Sequence, residues 1–298
     1  MYLTREYTDD GLSISGQDSI EILAPAKLNL YLNIVGLRPD GYHELLSVFT
    51  PVSLYDILKI DKIDSGVELY WDGRALEDKT GNLVYKAALY FFEKTGINKG
   101  ARIRVSKKIP ISSGLGGGSS DAASTLKALN RLWEDPLSKK ELKSLALSLG
   151  ADVPFFLLQK PAIARGIGEI LEPIDAFPDI WYIIVSPRLM VSTAWAYKNF
   201  KLDLTKIKNQ DIITCFSKKI FEDSDLLSND LESVTFKKHP FLEEIKISLV
   251  KLGAFSALMT GSGPSVFGIF RSYEEAFKAS KIFELQKNCD VFLVEGLH

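Results

Sequence analysis

A glycine-rich segment from Ser112 to Ser120 has the residue types needed to hold a phosphate. It contains three consecutive glycines, Gly116–Gly118, and ends in two serines. Backbone N–H groups can approach an anion closely there because no Cβ atoms stand in the way. The apolar spacing predicts a helix from about Ser119, whose N-terminal amides would add a partial positive charge. The segment is therefore predicted to bind phosphate, although its glycines are also typical of an ordinary turn.

This segment follows neither of the common nucleotide-binding patterns. No Gly-Lys-Ser or Gly-Lys-Thr ends it, as a Walker A motif requires, and its third glycine is displaced from the dinucleotide fingerprint. A second, shorter cluster, Gly261–Ser265, lies between two predicted strands. Two interpretations of that cluster stay open: a hairpin turn, or a second wall against a phosphate or its acceptor.

Two polar residues on one predicted strand, Lys27 and Asn29, are candidates for acid–base or charge chemistry. The stretch Leu28–Ile34 alternates apolar and polar residues, which is the period of a half-buried strand. Residues two apart on a strand project to the same side, so both side chains can point into a common site. A solvated strand face would give the same pattern. Asp152, between a helix stop and a proline, could equally cap a turn.

The elements that must position these residues are helices and strands in a mixed order. Helices are predicted to begin at Asn82, Ser119, Ser138 and Ser272, and another is predicted to end at Gly253. Strands are predicted over 101–105, 181–186, 266–270 and 290–294. The two kinds of element do not alternate strictly, so the sequence predicts an α+β fold rather than a doubly wound sheet.

Composition excludes several classes of protein. The 298 residues, 46% of them hydrophobic, are enough for two domains with separate cores. The 36 basic and 38 acidic residues nearly cancel, so neither nucleic acid nor a membrane is expected as a partner. The two cysteines, Cys215 and Cys289, form no metal or disulfide spacing, which favours the cytoplasm. No apolar run long enough to cross a bilayer and no leader are found, so a soluble protein is expected.

Four ordered motifs resemble those of the GHMP kinase family and together extend over nearly the whole chain. They are Pro25–Leu30, Pro110–Ala123, Gly150–Phe155 and Thr260–Ser265. Asp40–His43 is similar to the branch that acts on a methylerythritol joined to cytidine diphosphate. The resemblance implies a two-domain α+β GHMP kinase fold with the active site in the interdomain cleft. The domains would be an N-terminal ATP-binding domain, 1–160, and a C-terminal domain, 161–298.

The activity that this resemblance implies is ATP-dependent phosphorylation of a small alcohol. The γ-phosphate would pass to the 2-hydroxyl of 4-diphosphocytidyl-2-C-methylerythritol, giving the 2-phosphate and ADP in the non-mevalonate isoprenoid route. Asp152 would accept the hydroxyl proton, while Lys27 orients Asp152 and stabilises charge on the phosphoryl group. Mg²⁺ would accompany ATP, with Ser120 a possible ligand. The implied ATP-binding residues are Pro110, Ser112, Ser113, Gly114, Leu115, Gly116, Gly117, Gly118, Ser119 and Ser120.

The resemblance also implies a binding site for the cytidine diphosphate group. The Tyr42 ring would stack on cytosine, and the His43 imidazole would hydrogen-bond its edge. Alone, His43 could equally be structural. The family's second stacking residue falls at Tyr197, although Ala194 replaces the proline that usually precedes it. The remaining implied substrate-binding residues are Asn29, at the acceptor end, with Thr193, Gly261, Ser262 and Gly263.

Rival interpretations remain open at this point. One is another GHMP kinase, acting on mevalonate or homoserine, although neither substrate carries a base for Tyr42 and His43. Another is a catalytically silent sensor of a sugar or nucleotide on the same fold. A Ser-His-Asp hydrolase is disfavoured because neither glycine cluster fits Gly-x-Ser-x-Gly. A monomer or weak homodimer is expected, and the irregular stretch Lys201–Asn229 is interpreted as a possible mobile insertion.

Overall fold

The chain forms two compact units in a computed structural model that describes residues 7–8, 11–14, 16–175, 177–202, 226–283 and 288–298. The first unit contains Met1–Ala26, Tyr55–Ile109 and Gly117–Gln159. The second contains Lys27–Leu54, Pro110–Gly116 and Lys160–His298. Each unit is thus assembled from separated stretches of sequence. The domain boundary at residue 160 stays a prediction, and most of the stretch Lys201–Asn229 lies outside the described residues.

Strands and helices are mixed from the beginning of the chain. Up to residue 159 the elements are β1 Leu12–Ile14, β2 Ser19–Leu37, β3 His43–Ile63, β4 Val67–Trp71, β5 Arg74–Ala75, α1 Leu83–Thr95, β6 Gly100–Ser106, α2 Gly117–Leu132, α3 Lys139–Leu149 and α4 Val153–Leu158. In the first unit, β1 pairs antiparallel with β2 and β3 antiparallel with β6. Strand β4 runs parallel to β6 and ends in a short pairing with β5. Helix α2 packs against α1, α3 and α4.

Local signals in the sequence define the helices of the first unit. The Asn82 side chain accepts a hydrogen bond from the N–H of Val84, and α1 ends at Gly96 in the left-handed conformation. Ser138 and Glu141 form the predicted capping box of α3. Helix α2 begins at Gly117, two residues earlier than the pattern predicts. Sequence reasoning missed α4, which begins beside Pro154, a residue suited to the first turn of a helix.

The second unit contains the remaining elements. They are β7 Ala162–Gly166, β8 Ile170–Pro173, β9 Trp181–Pro187, α5 Thr193–Asn199, β10 Ser228–Asn229, α6 Glu232–Lys238, α7 Phe241–Lys251, β11 Ser256–Met259, β12 Val266–Phe270, α8 Tyr273–Phe283 and β13 Cys289–Glu295. Four of these strands form an antiparallel sheet in the order β11-β12-β9-β13. Within the same unit β7 pairs with β3, and β10 runs parallel to β2.

The core of the second unit lies between its four-stranded sheet and helices α7 and α8. Leu242, Ile245 and Leu249 of α7 are buried in it, as their helical spacing predicts. The fold is α+β, as the sequence indicates, with most pairings antiparallel. In the described parts of the chain, no helix is both long and apolar enough to span a membrane.

Candidate active site

Lys27 and Asn29 lie side by side on β2 and are both buried, with 4% and 2% of their surface exposed. The alternative of a solvated strand face is therefore wrong. The Lys27 ammonium donates a hydrogen bond of 2.5 Å to Asn29 Oδ1 and lies 4.6 Å from the centre of the Phe49 ring. Asn29 Nδ2 donates to Ser47 Oγ at 3.1 Å. Both ends of the Asn29 amide thus have protein partners, and Asn29 fixes the position of the lysine.

Thr260 joins this strand to both glycine clusters. Its Oγ1 accepts the N–H of Asn29 at 3.1 Å and lies 3.3 Å from Asn29 Oδ1. The same hydroxyl lies 3.2 Å from the carbonyl oxygen of Gly114. The N–H of Lys27 donates to the carbonyl of Leu115, which anchors the glycine segment to β2. Within the second unit, Lys27, Gly114 and the segment Thr260–Ser265 therefore form one connected cluster.

The segment Thr260–Ser265 is a turn between β11 and β12, as the hairpin interpretation requires. Thr260 and Ser265 close it with a backbone hydrogen bond of 3.0 Å. Gly261 and Gly263 both have positive φ, at 55° and 83°. A Cβ added at Gly263 would lie 2.6 Å from Met259 Sδ. Its glycines are therefore needed by the fold itself, and the hairpin leaves a functional use of this turn open.

The residues predicted to hold the cytidine group lie partly together. The ring centroids of His43 and Tyr197 are 5.4 Å apart. The ring centroids of His43 and Phe200 are 6.5 Å apart, with the two rings in an edge-to-face arrangement. Thr193 Oγ1 is 3.0 Å from Ser262 Oγ, which joins the start of α5 to the second glycine cluster. Both contacts fall within the second unit. They bring together four residues that sequence reasoning assigned to one substrate.

Tyr42 occupies a different setting from His43. It lies in the turn between β2 and β3, where its N–H donates to Asp40 Oδ1 at 3.1 Å and its carbonyl accepts the N–H of Arg38. Its side chain is 60% exposed. A tyrosine presented this way offers an open ring face for stacking.

The two halves of the glycine segment differ in burial and packing. Ser113 and Leu115 are buried, and the Ser113 hydroxyl donates to the carbonyl of Pro110 at 2.6 Å. Ser112, in contrast, is exposed and has a positive φ of 54°. A Cβ on Gly114, whose φ is also positive, would collide with the carbonyl oxygen of Thr260. The first half of the segment is thus shaped by packing against the rest of the second unit.

The second half of the segment is the first turn of α2, where Gly117 packs against Ile109 while Gly118 leaves room for a ligand. Gly118 is exposed, and a Cβ added there would meet nothing within 4 Å. Ser119 is half-buried. Ser120 is fully buried, and its hydroxyl has no hydrogen-bond partner among the described residues. The first four N–H groups of a helix also lack intrahelical acceptors. This turn therefore combines free donors with open space, which suits a phosphate.

A buried ionic cluster lies beneath this turn in the first unit. Lys107 Nζ donates to Asp121 Oδ2 at 2.7 Å and to Asp56 Oδ2, and all three side chains are at most 8% exposed. Asp56 Oδ1 accepts the N–H groups of Lys108 and Ile109 at 2.6 and 2.9 Å. The cluster thus ties the segment that enters the glycine loop to the helix that leaves it.

Burial dominates the protonation of this cluster. It raises the pKa of Asp121 to about 7, and the Lys107 ammonium only partly offsets that rise. Burial alone would lower the pKa of Lys107, but the two carboxylates outweigh it and hold the pKa above its usual value. Lys107 is therefore charged at neutral pH.

Asp152 stands at the N-terminus of α4, in the first unit. It occupies the capping position, but its side chain makes no capping hydrogen bond. The Asp152 side chain therefore does not cap α4, and its interpretation as a turn residue stays open. The carboxylate is half-buried.

The first turn of α2 contains an oxygen that fits a magnesium ion brought in with a nucleotide. No group of three or more His, Cys, Asp or Glu side chains able to hold a metal occurs among the described residues. Mg²⁺ commonly keeps its waters and binds through substrate phosphates with one or two protein oxygens. The buried Ser120 hydroxyl, which has no hydrogen-bond partner in the described part of the chain, has the chemistry of such an oxygen.

Sequence reasoning missed several residues that build the site. Ser47, Asp56, Lys107 and Asn229 are all buried or nearly so, and each hydrogen-bonds to a site segment distant in sequence. Asp56 and Lys107 are 51 residues apart, and Asn229 is 30 residues from Met259. No periodicity or motif signals such pairs, because only the folded chain brings them together.

Sequence comparisons associate this architecture with a family. The sequence model of the GHMP kinases N terminal domain matches residues 82–160, and that of the GHMP kinases C terminal domain matches 210–286. A 4-diphosphocytidyl-2-C-methyl-D-erythritol kinase of Syntrophotalea carbinolica is 42% identical, over 93% of this chain and 98% of the relative. The protein of the same name from Geobacter metallireducens is 43% identical, over 93% and 97%.

Solved structures agree with this comparison. A crystal structure of 4-(cytidine 5'-diphospho)-2C-methyl-D-erythritol kinase superposes with a TM-score of 0.78 and 36% identity. The match covers 93% of this chain and 99% of that one. Homoserine kinase from Cytophaga hutchinsonii superposes with a TM-score of 0.73 but only 22% identity, over 95% and 96%. The second likeness concerns the fold alone.

Proposed function

This chain belongs to the GHMP kinases, in the group of 4-diphosphocytidyl-2-C-methyl-D-erythritol kinases, and we propose from that membership that it is a small-molecule kinase of the non-mevalonate isoprenoid pathway. It transfers the γ-phosphate of ATP to the 2-hydroxyl of 4-diphosphocytidyl-2-C-methyl-D-erythritol. The products are the 2-phosphate and ADP. The observation that carries the proposal is the near full-length match at 42–43% identity.

The ATP phosphates are proposed to bind at the first turn of α2. The open space over Gly118 and the buried hydroxyl of Ser120, for which the described residues supply no partner, support this position. The helix N-terminus contributes amide donors and a partial positive charge. A bound Mg²⁺ would neutralise charge on the β- and γ-phosphates, and Ser120 would hold it directly or through water. The ionic cluster of Lys107, Asp56 and Asp121 supports the turn from below.

Lys27 and Asp152 are proposed as the catalytic residues. In the transfer, the acceptor hydroxyl oxygen bonds to the γ-phosphorus while the bond to the bridging oxygen of ADP breaks. Asp152 takes the hydroxyl proton, and the Lys27 ammonium stabilises the charge spread over the phosphoryl oxygens. The buried setting of Lys27, held by Asn29 and the Phe49 ring, supports this role because an immobilised charge needs little reorganisation during the reaction.

The cytidine end of the acceptor is proposed to lie between Tyr42, His43 and Tyr197. The contact of the His43 and Tyr197 rings and the exposure of Tyr42 support an aromatic site for a base. Thr193 and Ser262 add hydroxyls that can bind the diphosphate. We also propose that the enzyme works in the cytoplasm, where ATP is available, as a monomer or weak homodimer. Sedimentation of the purified chain tests the assembly.

A substrate panel tests the proposed function. Purified protein is assayed with ATP and Mg²⁺ against 4-diphosphocytidyl-2-C-methylerythritol, mevalonate and homoserine. We expect kcat/KM for the cytidylyl substrate to exceed the others at least about a hundredfold, because they cannot fill a site built for a base. Equal turnover of mevalonate or homoserine would favour those rival kinases. Absence of turnover across the panel would favour a silent sensor.

One variant tests the catalytic assignment. Asp152→Asn keeps the size of the side chain but cannot accept a proton as a carboxylate does. We expect kcat to fall about 10²- to 10⁴-fold with an unchanged circular dichroism spectrum. Near-normal turnover of the variant would mean that Asp152 is not the base.

A further inference from the structure

Asn229 holds the second glycine cluster through both protons of its side-chain amide. Its Nδ2 donates to the carbonyl of Met259 at 2.7 Å and to the carbonyl of Gly261 at 2.8 Å. Its Oδ1 accepts the N–H of Leu231 at 2.9 Å. The residue is only 6% exposed. The side chain therefore bridges the end of β11 and the turn that follows it.

The segment held by Asn229 is also the segment that contacts the lysine strand. Thr260 lies between the two carbonyls that Asn229 binds, and its hydroxyl accepts the N–H of Asn29. Asn29 in turn accepts the hydrogen bond from the Lys27 ammonium. Hydrogen bonds and the backbone of the turn thus connect Asn229 to Lys27, all within the second unit.

The rest of the turn depends on the same neighbourhood. Thr235 Oγ1 donates to the carbonyl of Ser262 at 3.2 Å, and the Ser262 hydroxyl contacts Thr193. Glu232 accepts the N–H of Met259 at 2.8 Å. Of these contacts, the Asn229 amide alone binds carbonyls on both sides of Thr260. Its removal would take this donor from the buried carbonyl of Met259 and from the partly buried carbonyl of Gly261.

We propose that Asn229 is a positioning residue for phosphoryl transfer, fixing Thr260 and through it the Asn29–Lys27 pair. This inference rests on the proposed kinase function. Its loss is expected to act on kcat, because a reacting group displaced by a fraction of an ångström loses rate while the substrates still bind. The KM for ATP is expected to change much less, since the hydrogen bonds of Asn229 run to Met259, Gly261 and Leu231 and not to the first turn of α2.

Asn130 provides a matched control in the first unit. It is a buried asparagine, 4% exposed, whose Nδ2 also donates to two acceptors, Asp135 Oδ1 and the carbonyl of Leu137, both at 3.1 Å. Its Oδ1 likewise accepts one backbone N–H, that of Leu137, at 2.9 Å. It lies thirteen residues along α2 from Gly117, about 20 Å at 1.5 Å per residue. Asn130→Ala should therefore lose similar hydrogen bonds without moving the site.

The experiment compares steady-state kinetics of the wild type, Asn229→Ala, Asn229→Asp and Asn130→Ala, with folded protein verified by thermal unfolding. For Asn229→Ala we expect kcat to fall at least about tenfold, with KM for ATP within about threefold of the wild-type value. Asn130→Ala should lower the unfolding temperature similarly and keep kcat. Equal kcat losses in the two alanine variants, or an unchanged kcat in Asn229→Ala, would overturn the proposal.

Asn229→Asp adds a readout that a merely structural role would not move. A carboxylate opposite two carbonyls repels them, so at neutral pH its kcat should fall below that of Asn229→Ala. A protonated carboxyl regains one donor, and kcat relative to wild type should rise as the pH falls. A pH-independent ratio would count against the proposal.

Hydrogen exchange of the peptide over 259–265 should be faster in Asn229→Ala than in Asn130→Ala, and this holds whether or not the chain is a kinase. Wild-type turnover tests the kinase function separately.

Discussion

The two glycine clusters look alike in sequence, but the structure distinguishes glycines packed against protein atoms from Gly118, which faces open space. In Thr260–Ser265, and at Gly114 in the first cluster, a Cβ would meet protein atoms at once. At Gly118, in the first turn of α2, a Cβ would meet nothing within 4 Å. The polar groups of the second cluster and of the first turn of α2 also differ, in whether they have hydrogen-bond partners in the protein. Asn229 and Thr235 satisfy the carbonyls of the second cluster, whereas the Ser120 hydroxyl lacks a partner among the described residues.

This difference separates glycines that the fold requires from a glycine that the fold does not explain. A glycine within a helix is less favourable than alanine by roughly 0.5–1 kcal/mol, so an open one needs another reason. Close approach of a phosphate is such a reason. Substitutions should therefore damage folding at Gly114 and function at Gly118 or Ser120.

The largest effect is expected for Gly114→Ala. Alanine at a φ of 82° is strained by about 1–2 kcal/mol, and its Cβ would collide with the Thr260 carbonyl. We expect a total loss of about 3–5 kcal/mol in the free energy of unfolding, measured by urea denaturation. Gly96→Ala is the control, since Gly96 has a φ of 68° and no neighbour within 4 Å. Gly96→Ala should show only the loss of stability that comes from backbone strain. If both variants lost the same free energy of unfolding, the contact with the Thr260 carbonyl would not contribute.

Ser120→Ala should lower activity while raising stability. The variant removes a buried hydroxyl that has no partner among the residues of known placement, so we expect about 1 kcal/mol of added stability. It also removes a proposed ligand of the ATP phosphates or Mg²⁺, so kcat/KM for ATP should fall about 10- to 100-fold. Ser124, one turn later on α2, is also buried with a hydroxyl lacking a described partner. Ser124→Ala should gain similar stability and keep its activity. If Ser124→Ala lost more activity than Ser120→Ala, the phosphate site would not lie at Ser120.

Local signals predicted much of the fold. Asn82 and Ser138 cap helices as expected, and both the alternation in Leu28–Ile34 and the apolar run Val266–Phe270 lie in strands. Strand β3, with 21 residues, was missed because its pattern changes from continuous burial to alternation along its length. The sequence also placed Lys27 and Asn29 on one strand face, where they do contact each other.

The supporting residues of the site could not be predicted. Asn229 follows a stretch with no readable pattern, and its partners are two backbone carbonyls, which carry no sequence signal. Asp121 reads as one more residue on a helix until Lys107 is found beside it. The different roles of Gly114 and Gly118 are equally invisible, because the type of residue is the same and only its neighbours differ.

Gly118→Ala should have a smaller effect, confined to nucleotide binding. Alanine is a better helix former, so stability should be unchanged or higher by up to about 1 kcal/mol. The added methyl would occupy the space proposed for a phosphate, and KM for ATP should rise about tenfold. Gly81 is the matched control, because it also has no neighbour within 4 Å and no positive φ. A Gly118→Ala enzyme with the wild-type KM would show that the open glycine serves no ligand.

The pH dependence of the free energy of unfolding tests the buried ionic cluster of Lys107, Asp56 and Asp121. Folding raises the pKa of Asp121 from 3.8 to about 7, mainly through burial, with Lys107 and Asp56 facing it. The folded state then binds the proton more tightly than the unfolded state. The stabilisation is complete below the unfolded pKa and is lost as the pH rises through about 7.

One such proton changes the free energy of unfolding by at most about 1.4 kcal/mol per pH unit, which urea denaturation between pH 5 and 8 can measure. Asp121→Asn, which cannot titrate, should flatten this slope. Glu232, whose pKa burial also raises, lies beside Met259 at the second cluster. Glu232→Gln should therefore keep the part of the stability that is lost as the pH rises through about 7. If Glu232→Gln flattened the slope and Asp121→Asn did not, the group that titrates would be Glu232, beside the second cluster. The pH dependence of stability would then arise at the second cluster and not beneath the first. The different packing of Gly114 and Gly118 would be unaffected by that result.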